Sequence, residues 1–400
     1  MCSRIPLLAS PRLVTRRHCL TPLGLLVTVV LGALAASGCG GTGASARRTA
    51  TGASSGASAT PPTAAARRAN LYAGTAPGDL SPVVRRDRQL VYVPNGLSNT
   101  VSVISQRTLK VIATFPTGGQ PQHVTPSWDL KTLYVDNDLG NSLTPINPQT
   151  GQPGRPIPVE DPYNLYFTPD GHFAIVVAER LLRLDFRDPH SMKLSHSLSV
   201  PMCDGVDHAD FSPGGRYMFA SCEFNGRLIE VDLKTQRVLR TLTLNGGHAA
   251  PQDVKISPDG RTLYTADQIG GGVWEINPST FKVTGFLKTG AGAHGLYPSR
   301  LDHYMYVSNR AAGTISVVSF HSRRVIRTWT LPAPASPDMG GVSADGSTLW
   351  LSGRYNAVVY AINTATGRLR AAIPVGQGPH GLSVWPQPGS YSLGHTGILR

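Results

Sequence analysis

The sequence predicts an all-β fold: a seven-bladed β-propeller with four-stranded blades, its ring closed by N- and C-terminal strands that share one blade. Three observations carry this expectation. First, 43 Gly and 32 Pro are spread along 400 residues that are 40% hydrophobic and only 15% charged, a composition suited to short strands and tight turns. Second, a unit of 41 to 45 residues recurs from about residue 80 onward, which is the period of one four-stranded blade. Third, the two ends of the repeat array are incomplete in complementary ways.

The clearest unit runs over 250–290. Asp253-Val254-Lys255-Ile256 opens it and Ser257-Pro258-Asp259-Gly260 turns the chain; strands follow from Thr262 to Asp267, Gly272 to Asn277 and Lys282 to Leu287. Their alternation of apolar and polar residues suits strands packed between neighbouring blades, and Pro-Asp-Gly supplies the turn chemistry. Similar turns stand at 169–171, 213–215 and 344–346, and second strands begin near Leu90, Leu133, Ala174, Met218, Leu263, Met305 and Leu349, which makes seven blades. The strand at Leu90 lacks a first strand before it, whereas His380 to Pro386 reads as a first strand with no blade after it. Pairing the two closes the ring and removes its exposed edges.

Val91-Tyr92-Val93-Pro94-Asn95 through Asn99-Thr100-Val101-Ser102-Val103-Ile104, and Met305-Tyr306-Val307-Ser308-Asn309 through Gly313-Thr314-Ile315-Ser316-Val317-Val318, resemble the signature of the YVTN repeat family. Ile373-Pro374-Val375-Gly376 followed by Gly378-Pro379-His380-Gly381 is similar to that family's blade junction, and the resemblance covers about residues 80–388. It implies the propeller fold. Relatives of that type include surface-layer-like proteins, periplasmic binding propellers, lactonase-like enzymes and the haem-binding propeller of nitrite reductases, so the fold alone selects no function. Glu179 to Leu184 in the third blade lacks the usual turn residues.

Residues 1–38 read as a signal peptide, in which Arg12, Arg16 and Arg17 precede an apolar run from Leu20 to Ala36 and no Asp or Glu occurs. Leu34-Ala35-Ala36-Ser37-Gly38-Cys39 resembles the bacterial lipobox. That resemblance implies acylation of Cys39, membrane lipid as a partner, and export to the outer face of the cytoplasmic membrane, at the cell surface or in the periplasm. Thr15-Arg16-Arg17-His18-Cys19-Leu20 is similar to a twin-arginine motif, so two export routes stay open. Residues 39–78 read as a Gly/Ala/Ser/Thr/Pro-rich disordered tether carrying Arg47, Arg48, Arg67 and Arg68, ahead of the propeller at 79–400. Processing lowers the net charge from +13 to +9, and the propeller itself holds +5. That is too mild to argue for nucleic acid, whereas a basic tether suits an anionic lipid surface. Cys203 and Cys222 are then the remaining cysteines, either as a disulfide or as two small unpaired residues.

Chemistry is expected at the channel mouth, where the first strands begin. Counting back eleven residues from the second-strand aromatic or its equivalent gives His123, Asn164, His208, Asp253, Gly295 beside His294, and Met339, while His380 lies in the closing strand. The candidate ligand-binding mouth is therefore His123, Asn164, His208, Asp253, His294 and His380. His123, His208, His294 and His380 come from every second blade and are candidate ligands for a transition metal; the alternative is that each is bonded to a neighbouring carbonyl. A second cluster comprises Cys203, Asp204, Asp207, His208, Cys222 and Glu223. No catalytic residue is assigned. Gly52-Ala53-Ser54-Ser55-Gly56 fits G-x-S-x-G but lies in the tether, and no phosphate-cradling Gly loop or metalloprotease helix motif occurs. The first expectation is thus a lipid-anchored, non-enzymatic binding or scaffold module for an unidentified protein or small molecule. The alternative is a metal- or cofactor-dependent enzyme, lactonase-like or redox.

Overall fold

The computed structural model describes residues 70–400, and the expected signal peptide, Cys39 and most of the tether lie outside them. Seven antiparallel sheets follow one another as the blades of a propeller. The fifth is representative: Pro251–Ile256, Leu263–Asp267, Gly272–Asn277 and Lys282–Lys288 run from the channel outward. Inner and middle strands are buried almost throughout, whereas the outer strand Lys282–Lys288 is largely exposed. Seven apolar clusters hold the ring, each filling the gap between two neighbouring blades. Tyr92, Tyr134, Tyr264, Tyr306 and Trp350 are buried in these gaps, because a blade must offer apolar bulk on both faces.

The repeat signature has a visible cause. Asn95 Nδ2 donates to Thr100 Oγ1 and Ser102 Oγ at 3.0 Å each, tying the end of a second strand to the third. Asn137 and Asn309 do the same toward Ser142 and Thr144, and toward Thr314 and Ser316. Between blades, an inner-strand side chain takes a backbone N–H of the next blade. Tyr166 Oη accepts from Ala209, Asp210 from Ile256, Asp253 from Leu296, and Tyr297 Oη from Gly340.

The closing strand is Ser383–Trp385, paired antiparallel with Leu90–Asn95 through Leu90↔Trp385, Val91↔Val384 and Tyr92↔Ser383. Trp385 is fully buried and its Nε1 donates to Asp87 Oδ2 at 2.8 Å. The Gln106 amide donates to the carbonyls of both Leu90 and Trp385. In the third blade, Leu182 takes a left-handed φ of 51° where Asn99 and Asn141 serve in the first two blades. Arg180 braces that turn by donating to Asp161 Oδ1 and the Asp138 carbonyl.

One boundary differs from the sequence expectation, and the tail takes up a place of its own. Ordered packing begins by Asn70, not at 79: Tyr72 is buried, its hydroxyl donates to the Ile256 carbonyl, and Leu71 N–H donates to the Pro258 carbonyl. The tail, for which the repeat offers no place, forms a hairpin of Ser392–Gly394 and Ile398–Leu399 that extends the inner strand of the third blade through Gly394↔Tyr166. Leu393, Ile398 and Leu399 are buried, and Arg400 donates to Asp210 Oδ1 at 2.7 Å while lying over the Tyr72 ring.

Candidate metal centre in the channel

The inner strands of blades two, four, five, six and seven each carry a register shift near their first residue, as between Pro337 and Gly340 or Ala293 and Leu296. A bulge there places an extra residue at the channel. Serine hydroxyls of the second strands hold the bulges: Ser221, Ser308 and Ser352 accept from the N–H groups of His208, Gly295 and Met339. The four histidines thereby meet. Successive ring centroids lie 5.5 Å apart for His123 and His208, 5.9 Å for His208 and His294, 6.0 Å for His294 and His380, and 4.9 Å for His380 and His123.

A fifth imidazole enters from the tail. The hairpin turn carries His395 to within 4.6 Å of the His208 ring and 5.2 Å of the His123 ring. Repeat counting misses it because the tail belongs to no blade. Asp338 is missed for a different reason: counting lands on Met339, one residue further along the bulge.

Potential donor atoms form two groups, His123, His208 and His395, and His294, Asp338 and His380. All six side chains are buried. Burial pushes the His123 imidazole down to about 3 and His208 to about 4, and drives His294, His380 and His395 well below the ordinary value. The rings are therefore neutral at pH 7, with a bare nitrogen each.

Hydrogen bonds decide which nitrogen is bare. His123 Nδ1 lies 2.9 Å from the Tyr163 carbonyl, so it carries the proton and leaves Nε2 as a buried acceptor without a partner. His208 Nδ1 abuts Asp207 Oδ1 without hydrogen-bond geometry, and its Nε2 lies 3.4 Å from Met339 Sδ. Asn164 Nδ2 donates to His395 Nδ1, which puts the His395 proton on Nε2, 3.6 Å from Asp253 Oδ1. His395 in this state offers the channel a donor, not a metal ligand.

The other group is better formed. His294 Nδ1 stands 3.4 Å from Asp338 Oδ1 and His380 Nε2 3.7 Å from Asp338 Oδ2, both too long for hydrogen bonds. His294 Nδ1 and both Asp338 oxygens are buried without hydrogen-bond partners. Ligands held about 2.0–2.1 Å from a tetrahedral ion lie about 3.4 Å from one another, so the spacing suits a shared ion. Arg310 lies 3.4 Å from Asp338 Oδ1 and, among the described residues, is the one arginine or lysine in contact with it.

Asn164 and Asp253, also expected at the mouth, are engaged structurally. Asn164 links Tyr166, His395 and the Leu165 N–H, and Asp253 accepts from the N–H groups of Val254 and Leu296. Cys203 and Cys222 are joined by a disulfide, so the second sequence cluster offers no thiolate. Around the mouth, burial together with Asp207 and Glu223 raises the Glu179 carboxyl to about 9, and burial raises Glu223.

Residues 62–388 match a family model described as a YNCE-like β-propeller. The chain is 23% identical to a 6-phosphogluconolactonase of Erwinia tasmaniensis over 62% of its own length and 83% of that protein's. It is 24% identical to a 6-phosphogluconolactonase of Serratia proteamaculans over 77% and 89% of the two chains. Among solved structures, a putative 6-phosphogluconolactonase from Bacteroides uniformis superposes with a TM-score of 0.59 at 17% identity, covering 74% of this chain and 99% of that one. At such identities the likeness is one of fold.

Proposed function

The chain belongs to the YNCE-like β-propeller family, and on that footing we propose that it binds a divalent transition-metal ion in its channel through His294, Asp338 and His380. The observation that carries this is the spacing of three buried donors at 3.4 and 3.7 Å with no hydrogen bond between them. Two neutral imidazoles and one carboxylate suit zinc or ferrous iron and leave further positions open. The body is held outside the cytoplasm by acylated Cys39 in this reading, and the mass of the mature N-terminus tests that part.

A second reading, metal-assisted hydrolysis, is favoured by Glu179. A carboxyl raised to about 9 is protonated at pH 7 and is suited to general-acid work. A bound ion would supply a Lewis acid. The relatives named 6-phosphogluconolactonase point to lactone hydrolysis as the reaction to try first.

Calorimetric titration of the full chain with zinc tests the site. One ion per chain is expected, with affinity falling at least tenfold in Asp338→Asn and His294→Ala and unchanged in His172→Ala, an exposed histidine outside the channel. Equal affinity in all four proteins would refute it. A lactone-hydrolysis assay then separates the readings, since the enzymatic one requires metal-dependent turnover that Glu179→Gln abolishes.

A further inference from the structure

The two rims of the propeller differ in charge. On the rim away from the channel mouth, where first strands turn into second and third into fourth, every blade exposes a cation: Arg107, Lys131, Lys193, Lys234, Lys282, Arg324 and Arg368. Arg85, Arg86 and Arg88, just before the first blade, are exposed beside them. Acidic residues on this rim, such as Asp129, Asp170, Asp259 and Asp345, are folded into turns by bonds from Ser127, Thr168, Ser257 and Ser343. On the mouth rim the signs are mixed, with Asp138, Asp161, Asp204 and Glu223 standing among Arg180, Lys288, Arg310 and Arg354 and with Glu179 held protonated.

The chain leading back toward Cys39 leaves from the basic rim. Asn70 Nδ2 donates to Asp302 Oδ2 at 2.9 Å and Leu71 N–H to the Pro258 carbonyl, both in turns of that rim. We propose that the basic rim docks on an anionic bilayer surface, so that the channel mouth faces away from the membrane. The location of that membrane rests on the anchoring reading; the charge asymmetry does not. Electrostatics sets the orientation, since the basic groups of this rim are attracted to anionic headgroups.

The mouth rim offers the competing contact. Leu97, Leu139, Leu181, Phe224, Ile269 and Tyr355 are exposed at the tips of its turns between second and third strands. A bilayer could take these tips without any need for negative charge, and that difference makes the orientation testable.

The test uses the chain processed at residue 39 with Cys39→Ala, so that no acyl chain contributes, and vesicles of phosphatidylcholine with or without phosphatidylglycerol. Partition into the anionic vesicles alone is expected, weakening with added salt. Each cation removed should lower partition about fivefold, the equivalent of about 1 kcal/mol, so Arg85→Ser/Arg86→Ser/Arg88→Ser should lose on the order of a hundredfold. Unchanged partition in that variant would overturn the proposal. So would equal binding to neutral vesicles, loss of binding in Phe224→Ser/Ile269→Ser instead, or displacement from vesicles by trace oligonucleotide. Failure of acylation alone would appear in the mass of the mature wild-type protein and leave this partition untouched.

Discussion

Replacing Trp385 probes the closure of the ring at its centre. The indole is fully buried against Leu90, Leu133 and Leu399, and its N–H satisfies Asp87 Oδ2, whose partner oxygen Oδ1 already lacks a hydrogen bond. Truncation of a buried Trp to Ala costs about 3–5 kcal/mol. Trp385→Phe keeps most of the apolar contact but leaves Asp87 unpaired, which costs about 1–3 kcal/mol. Trp128 is half-buried, stacked 5.7 Å from Tyr391, and its loss should cost only about 1–2 kcal/mol. Equilibrium urea unfolding should rank the variants Trp385→Ala, Trp385→Phe, Trp128→Ala from least to most stable. Hydrogen exchange should show Leu90–Asn95 losing protection first in the Trp385 variants, because that strand pairs with the closing one. If Trp385→Ala stays within 1 kcal/mol of the parent and Leu90–Asn95 keeps its protection, this account of closure is wrong.

Further outcomes follow from single contacts. Tyr166→Phe and Tyr297→Phe each leave a buried N–H, of Ala209 or Gly340, without its acceptor, and each should cost about 1–3 kcal/mol by urea unfolding. Gly381→Ala sets a methyl directly on the His123 ring and should cost about 1–3 kcal/mol while moving that imidazole, visible as a shifted histidine resonance. Burial raises the Asp302 carboxyl to about 6 from 3.8, so the folded state holds its proton more tightly than the unfolded chain does. Its contribution to stability is then greatest below pH 3.8 and falls as pH rises through 6. Asp302→Asn should therefore be the more stable protein at pH 7, by at most about 3 kcal/mol, with the advantage gone at the acid end of a pH series.

Much of the fold is legible because its determinants are local and repeated. The Pro-Asp-Gly turns and the Asn-to-Thr-and-Ser bonds recur at a fixed interval, and the unpaired strand from His380 to Pro386 names its own partner. The third blade is harder to read, since Leu182 adopts a left-handed conformation that its side chain disfavours and that the Arg180–Asp161 pair sustains. At the channel, even spacing of His123, His208, His294 and His380 anticipates their convergence. It does not anticipate Asp338, because a bulge adds one residue to the inner strand of the seventh blade and the count lands on Met339. Nor does it anticipate His395, Tyr72 or Arg400, which reach the propeller from segments outside the repeat, where no period can be used.

The measurement that bears most directly on the central claim is anomalous diffraction from crystals of the protein grown with zinc. The account predicts one peak in the channel about 2.0–2.1 Å from His294 Nδ1, His380 Nε2 and an Asp338 oxygen. A channel without a peak, with zinc found only on exposed histidines such as His172 or His303, would contradict it.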